Sequence, residues 1–420
     1  MTETKPFSIS KQLVWEAYRR VKANKGSAGV DGQSIAEFEV ELKANLYRIW
    51  NRMSSGSYFP PSIRAVSIPK KSGGKRMLGV PTVADRIAQT VVTLTLNPLL
   101  EPQFHEDSYG YRSGKSAHQA LTVTRKRCWE YDWVLEYDIR GLFDNIDHGL
   151  LLKALRHHVS DKWVVLCVER WLVAPMQMQD GSTIARTKGT PQGGPLSPVL
   201  ANLFLHYTLD HWLSTQFPQI PFCRYSDDGV LHCRSKAQAR LMRTQLERRL
   251  EHCGLEAHSE KTQIVYCKDG NRAESHDVIQ FDFLGYTFKP RRSMNRYGKV
   301  FLSFSPCASR ESLKEMRQQV RRWKLHLKSE TSLQSIAKQC SASIRGWMNY
   351  YSLFRSSGLR ALGRHIDQTL IRWAMRKYKR LNKNRPRAIR WLEQQFHKSP
   401  SLFPHWQLFN GFSAGTMGAQ

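Results

Sequence analysis

The sequence predicts an α+β fold, in which a region of mixed strands and helices precedes an all-helical region. Before residue 290, short apolar runs bounded by turn residues predict strands between segments of helical spacing. After residue 290, three long helices are expected, over 309–328, 332–354 and 359–381. The charge changes at the same place, because residues 291–400 hold 26 Lys and Arg against five Asp and Glu. The expected domains are residues 1–290, 291–390 and a short tail, 391–420.

The overall charge predicts a polyanionic partner. The 420 residues carry a formal net charge of +29, and such an excess favours nucleic acid ahead of an acidic membrane surface. The eight cysteines form no C-x-x-C pair and no zinc-type cluster with His, which is typical of reduced, buried thiols. Neither a signal peptide nor 18 continuous apolar residues is found, so a cytoplasmic protein without membrane contact is expected.

The first elements in the chain are helices over 8–50, followed by a basic hairpin over 64–81. The hairpin carries Lys70, Lys71, Lys75 and Arg76 around a Gly-Gly turn. Such a hairpin is often only a solvated surface, but its cations also suit a triphosphate or a nucleic-acid backbone.

A strand over 133–139 comes next and ends in Asp138. It is followed by a turn and a helix over 149–158, and by a Gly-rich turn around Gln192 that opens a helix within 187–213. Further strands are expected around 262–267 and over 281–288, where one strand is predicted.

The segment 222–233 predicts a tight β-hairpin with Asp227 and Asp228 at its tip. Adjacent carboxylates repel each other, so a divalent cation is a favourable partner for them. Asp-Asp-Gly is also good turn chemistry, and taken alone that simpler interpretation is preferable. Nucleotidyl transfer uses two metal ions held by carboxylates, and Asp138 with this pair would supply such ligands from adjacent strands.

Several separated motifs, in fixed order, together resemble the palm of reverse transcriptases: Tyr137-Asp-Ile-x-Gly-x-Phe-Asp144, Pro191-Gln-Gly-Gly-Pro-Leu-Ser-Pro198 and Tyr225-Ser-Asp-Asp228. Further segments are similar to group II intron-encoded reverse transcriptases, namely 24–32, 68–81, 108–114 and Phe283-Leu-Gly-Tyr286. Ile344-Arg-Gly-Trp-Met-Asn-Tyr-Tyr351 resembles their maturase, or thumb, domain. The resemblance covers roughly residues 10–390.

The resemblance implies a right-hand polymerase with fingers and palm, followed by a helical thumb. It implies two Mg²⁺ ions, or Mn²⁺, held by Asp138, Asp227, Asp228 and the Ile139 carbonyl. Phe143 would be the gate against the sugar 2′ position, with Lys70, Arg76 and Gln192 contacting the nucleotide. The choice of triphosphate contact among Arg64, Lys70, Lys71 and Arg76 stays open. Primer and template contacts would come from Tyr225, Lys261, Arg345, Trp347, Arg372, Arg376 and Lys377.

The implied function is RNA-directed DNA synthesis combined with binding of group II intron RNA that assists splicing and mobility. The implied partners are that RNA, an RNA template with a DNA primer, dNTPs and target DNA. Two alternatives remain: an RNA-binding maturase with dispensable polymerase activity, and a domesticated reverse transcriptase in defence or repair. Two departures are visible, since Ser226 replaces the usual Ala, and an H-N-H endonuclease domain is expected to be absent.

Overall fold

The structure, a computed structural model, describes residues 5–69, 74–272, 274–409 and 411. The chain folds into two compact units. The first comprises Met1–Ser116 and Leu135–Ile264, and the second comprises Ala117–Val134 and Val265–Gln420. The boundary expected at 290 therefore lies inside the second unit.

The strands, in chain order, are β1 Ile63–Pro69, β2 Lys75–Val80, β3 Trp133–Asp138, β4 Met176–Gln177, β5 Thr183–Ile184, β6 Phe222–Tyr225, β7 Asp228–Cys233, β8 Gln263–Tyr266, β9 Phe281–Phe283, β10 Tyr286–Met294 and β11 Val300–Ala308. The helices are α1 Lys11–Ala23, α2 Ile35–Val40, α3 Leu42–Ser54, α4 Val83–Leu100, α5 Ala117–Glu130, α6 Leu142–Asn145, α7 His148–His158, α8 Lys162–Val173, α9 Ser197–Leu205, α10 His211–Gln216, α11 Lys236–His252, α12 Arg310–Arg322, α13 Leu333–Tyr351, α14 Arg360–Lys377, α15 Arg385–Lys398 and α16 Pro404–Phe409.

The predicted basic hairpin forms in the first unit. β1 and β2 pair antiparallel, with Arg76 opposite Ile68, and β1 also pairs parallel with the short β4. The hairpin tip, residues 70–73, lies outside the described residues, and so does the predicted contact Lys70. After β2, Thr82 caps α4 by accepting the Asp85 N–H at 3.1 Å, and α1 packs against α4.

The central sheet has the strand order β6-β7-β3-β8. β6 and β7 are antiparallel, with Tyr225 opposite Asp228, which confirms the hairpin predicted over 222–233. Val134, Leu135, Val230 and Leu231 are fully buried and give the sheet its apolar core. β3 ends at Asp138 as the sequence predicts, so a carboxylate follows directly on a buried strand.

The second unit contains a three-stranded sheet, in the order β11-β10-β9. Its core is aromatic, with Phe281 stacked on Phe288 at 4.7 Å between ring centroids and Phe304 beside them. The single strand predicted over 281–288 is wrong, because Leu284 and Gly285 form a turn with φ of 50° and 78°. The buried positions shift from 281 and 283 before the turn to 286 and 288 after it, so the alternation breaks at Leu284 and Gly285.

The helical part of the second unit begins at Arg310 rather than at 291, because β10 and β11 occupy 286–294 and 300–308. α12, α13 and α14 confirm the three predicted long helices over somewhat shorter spans. The segment after 391 is folded as well. Trp406 on α16 is fully buried, and its Nε1 donates to Asp367 Oδ1 at 2.8 Å.

All eight cysteines are unpaired and buried, as the sequence predicts. Within the described part of the chain, no helix combines the length and the apolar character that crossing a bilayer would require.

Candidate active site

Three carboxylates meet at one end of the central sheet. Asp138 is the last residue of β3, while Asp227 and Asp228 lie where β6 turns into β7. The Ile139 N–H donates to the Asp227 carbonyl at 3.1 Å, so the backbone joins the strand end to the hairpin turn. The structure therefore brings together the three acids that the sequence places in separate motifs.

The electrostatics of the site are dominated by burial and by repulsion between the acids. Burial raises the pKa of Asp228 to about 7, and the charges of Asp227 and Asp138 add to this shift. Burial also raises the pKa of Asp227, with a contribution from Asp138. Lys261 forms an ion pair with Asp138, and its positive charge acts in the opposite direction on Asp228. A cation is thus the favourable neighbour for this group of acids.

The three carboxylates are candidate ligands for a divalent cation. Among the described residues, no three His, Cys, Asp or Glu side chains are arranged to hold an ion as they stand. The chemistry of the donors nevertheless fits, because carboxylate oxygens are the ligands that Mg²⁺ prefers and a bound cation would relieve the repulsion that raises these pKa values.

A cavity of about 440 Å³ is lined by Arg76, Phe143 and Gln192, the three described residues predicted to contact a nucleotide. Tyr111 lines it too, and burial together with the charge of Asp227 raises the pKa of Tyr111. Tyr111 follows Gly110, where a Cβ would lie 2.5 Å from the Ser226 nitrogen, so this wall of the cavity lies beside the turn that carries Asp227 and Asp228. The sequence analysis missed Tyr111, although it stands in the quoted 108–114 motif.

Phe143 is held rigidly at the cavity wall. It lies on the short helix α6, which follows Gly141 at a φ of 58°, and its side chain is buried. Its carbonyl accepts the Thr190 N–H at 2.6 Å, and the Tyr111 ring meets it edge-on at 6.3 Å. A side chain fixed in this way can act as a steric limit on a ligand.

Gln192 is positioned by the Gly-rich turn. Its carbonyl accepts the Gly79 N–H at 2.8 Å, and its side-chain amide contacts Arg76 and donates to Asp144 at 3.4 Å. The next residue, Gly193, has a φ of 127°, and a Cβ there would lie 2.6 Å from the Gly79 carbonyl oxygen. Glycine is therefore required for the turn to approach β2 closely.

Beneath the hairpin lies a buried ion pair that the sequence analysis did not identify. Arg224 on β6 donates from Nε and Nη2 to the two carboxylate oxygens of Asp210, at 2.7 and 2.6 Å. Both side chains are fully buried. Arg224 also donates to Ser108 Oγ at 2.7 Å and to the Ser226 carbonyl at 3.2 Å. The guanidinium thus supports the turn that carries the acids.

Ser226 adopts a left-handed conformation, with a φ of 59°. Its backbone is in close contact with Gly110, where a Cβ would lie 2.5 Å from the Ser226 nitrogen. The departure from Ala therefore occurs at a buried and conformationally demanding position.

The predicted primer and template residues lie in both units. Tyr225 and Lys261 belong to the first, beside the acids. In the second, Arg345, Arg372 and Arg376 are exposed on α13 and α14. Two others are engaged within the fold: Trp347 stacks on Trp323 at 5.7 Å between ring centroids, and Lys377 Nζ donates to the Ser329 carbonyl at 2.8 Å.

Comparison with protein families gives two matches. Residues 68–288 match the model for reverse transcriptase (RNA-dependent DNA polymerase), and residues 313–398 match that for the group II intron, maturase-specific domain. The first match covers the three acids, the Gly-rich turn and most of the cavity lining, and the second covers most of α12 to α15.

Individual relatives agree with these matches. Protein YkfC from Escherichia coli K12 is 31% identical over 324 residues, which is 68% of this chain and 82% of YkfC. The group II intron-encoded protein LtrA from Lactococcus lactis is 32% identical over 203 residues, 48% of this chain and 33% of LtrA. The putative COX1/OXI3 intron 1 protein of Saccharomyces cerevisiae is 29% identical over 47% of this chain and 23% of its own length. The chain thus matches a third or less of the two intron proteins. It belongs to the reverse transcriptase family of RNA-directed DNA polymerases and carries the maturase-specific domain of group II intron proteins.

Proposed function

We propose that this chain copies RNA into DNA at the site formed by Asp138, Asp227 and Asp228, and that it binds group II intron RNA to assist splicing and mobility. The observation that carries the proposal is the position of these acids beside the cavity lined by Phe143 and Gln192. An acidic centre next to a rigid, nucleotide-sized cavity is what template-directed nucleotide addition needs.

Asp138, Asp227 and Asp228 would hold two divalent ions, Mg²⁺ or Mn²⁺, with the Ile139 carbonyl as a further ligand. When bound, such ions lower the pKa of a primer 3′-hydroxyl and neutralise the leaving pyrophosphate. The chain itself supplies the geometry, since the Ile139 to Asp227 hydrogen bond fixes the spacing of the acids. Lys261, paired with Asp138, stands where it can contact the primer end or the reacting phosphates.

The incoming dNTP would occupy the 440 Å³ cavity. Phe143 would contact the sugar at the 2′ position and exclude ribonucleotides by its bulk. Arg76, together with Lys70, would bind the triphosphate, because guanidinium and ammonium groups pair well with phosphate. Gln192 would orient the nucleotide, and its contacts with Arg76 and Asp144 hold it at the cavity wall.

The two parts of the chain would have different functions. We assign fingers and palm to residues 1–290 and the thumb or maturase function to residues 291–390, with 391–420 following. Tyr225 would contact the primer, and Arg345, Trp347, Arg372, Arg376 and Lys377 would hold the RNA template, the DNA primer and the intron RNA. The excess of positive charge over 291–400 supports this role. Target DNA is a further expected ligand, and the cytoplasm is the expected compartment.

The test is primer extension on an RNA template with Mg²⁺ and dNTPs. The wild-type protein should extend the primer, and Asp227→Ala should not. Asp161→Ala is a matched control, because Asp161 is an exposed carboxylate of the same unit whose side chain makes no capping bond. Extension that survives Asp227→Ala would disprove the assignment of the acids.

A second measurement does not depend on activity. Mg²⁺ should raise the unfolding temperature of the wild-type protein and of Asp161→Ala, because a ligand stabilises the state that binds it. The unfolding temperature of Asp227→Ala should rise much less. Splicing of a group II intron RNA is measured with each protein. If Asp227→Ala assisted splicing as well as the wild-type protein does, the maturase function would be separate from polymerisation.

A further inference from the structure

A second cleft, of about 550 Å³, lies within the second unit, and we call it the hairpin cleft. Its lining includes Arg125 from α5, Arg292, Met294 and Val300 from the β10–β11 hairpin, and Phe354 and Arg355 from the segment after α13. Its volume falls in the range of roughly 300–1,000 Å³ that small-ligand pockets occupy. None of these residues is needed for the site in the first unit.

The hairpin cleft concentrates positive charge. Arg125, Arg292 and Arg355 line it, Arg291 is close by, and none of the four forms an ion pair with any carboxylate of the described residues. Burial, together with the charge of Arg355, lowers the pKa of Arg291. Arg355 Nη2 donates to the Arg292 carbonyl at 3.1 Å, which joins two of the lining arginines. Three guanidinium groups around one cleft favour an anion between them.

Arg125 is held in place by aromatic rings. Its guanidinium lies 4.5 Å from the Trp129 ring centroid and 5.4 Å from that of Phe354. Trp129 is itself fixed, since its Nε1 donates to the Phe304 carbonyl at 2.8 Å. Arg125 Nε is buried and has no hydrogen-bond partner among the described residues. Burial lowers the pKa of Arg125, so a negative charge in the cleft would stabilise its charged guanidinium.

The other side of the hairpin cleft is apolar and open. Met294 and Val300 face each other across the hairpin, as direct partners in its antiparallel register, and they are 71% and 61% exposed. With Phe354 they form a surface suited to a flat, apolar group. Exposed apolar side chains that lie side by side are a feature of contact sites.

The two sides of the cleft together match a nucleotide. A phosphate satisfies guanidinium groups in a bidentate geometry, and a base packs on apolar and aromatic side chains. An acidic peptide would satisfy the arginines but would leave the apolar side without a planar partner. A base already stacked in a duplex could not enter, so the ligand must present an unpaired base.

We propose that the hairpin cleft binds a single unpaired nucleotide of RNA, with its phosphate between Arg292 and Arg355 and its base against Met294, Val300 and Phe354. The inference rests on the proposed function only in taking RNA as the ligand. It adds a contact point outside the polymerase site, at which a loop or bulge of a bound RNA is fixed.

The test uses the full chain with a primer–template duplex already bound, and measures binding of a second, ten-nucleotide RNA and of its abasic counterpart. Both RNAs carry the same phosphates, so the difference between their binding affinities measures the contribution of the bases. The wild-type protein should prefer the base-containing RNA by about tenfold, the value of one stacked base. Met294→Ser should remove most of this preference without changing the salt dependence. Arg292→Gln should weaken binding of both RNAs and reduce the salt slope by about 0.7.

Arg322→Gln is the matched control, because it removes an exposed arginine of the same unit outside the cleft and should leave the preference for bases intact. An unchanged preference in Met294→Ser together with an unchanged slope in Arg292→Gln would overturn the proposal. Polyglutamate is tested in parallel. If Arg292→Gln abolished binding of polyglutamate but left RNA binding unaffected, the proposal would be overturned in favour of an acidic protein segment. Primer extension by the wild-type protein, measured in parallel, reports the proposed function separately.

Discussion

Replacing Arg224 by Met should destabilise the first unit strongly and impair catalysis, although Arg224 contacts no substrate. The substitution leaves the Asp210 carboxylate fully buried without its bidentate partner. Losing one member of a buried pair costs about 3–5 kcal/mol in the free energy of unfolding. The Ser226 carbonyl would lose a donor as well, at about 1 kcal/mol. Burial alone would lower the pKa of Arg224, but Asp210 raises it overall, so the guanidinium stays charged.

The assay is denaturant unfolding, combined with primer extension under conditions where each variant is folded. Arg240→Met is the control, since this exposed arginine of α11 should cost less than about 0.5 kcal/mol. The double variant Arg224→Met with Asp210→Leu should regain much of the lost stability, because no buried charge is left unpaired, but not the activity, because the turn still lacks its support. The reasoning is refuted if Arg224→Met costs no more than Arg240→Met, or if the double variant is no more stable than the single one.

Three further predictions concern single side chains. Phe143→Val should increase incorporation of ribonucleotides relative to deoxyribonucleotides in primer extension, because the cavity wall would then admit a 2′-hydroxyl; unchanged selectivity would exclude Phe143 as the gate. The pKa of Asp228 is raised to about 7 in the folded protein from an ordinary 3.8. In metal-free buffer the folded state therefore keeps a proton on Asp228 that the unfolded state loses. The free energy of unfolding should fall as pH rises from 4 to 7. Asp228→Asn should flatten this dependence and be the more stable protein at pH 8, as measured by denaturation at each pH. Trp406→Ala should lower the free energy of unfolding of the second unit by about 3–5 kcal/mol, because the indole is fully buried. An unchanged free energy of unfolding would mean that the segment carrying Trp406 is not part of the core.

Local patterns were sufficient to predict the elements that carry the acids. The hairpin over 222–233 has two apolar runs around a short polar turn, and β3 is an apolar run that ends in a carboxylate. In both cases the neighbouring residues in the chain decide the structure. The resemblance to reverse transcriptases, and not a local pattern, placed Arg76, Phe143 and Gln192 at one nucleotide, and the three line one cavity.

What the sequence could not predict depends on contacts between distant residues. Arg224 is an ordinary basic residue in a strand until the helix carrying Asp210 is packed against it. The strand β10 carries Lys, Arg and Ser, so its composition matched that of the basic helices that follow. Trp406 lies in a segment without Lys or Arg that looked like a tail, and only its hydrogen bond to Asp367 shows that the segment belongs to the core.

The hairpin tip combines two locally unfavourable features, and the buried pair beneath it holds the turn in place. Ser226 has a positive φ, which costs a residue with a Cβ about 1–2 kcal/mol, and Asp227 and Asp228 have pKa values raised by burial and repulsion. A turn with these properties would relax if it were free. It is held because Arg224 binds the Ser226 carbonyl from below, while Asp210 neutralises the guanidinium that does so. The positions of the acids therefore depend on a charge pair outside the turn, and substitutions at Asp210 should alter the site as much as substitutions within the turn itself.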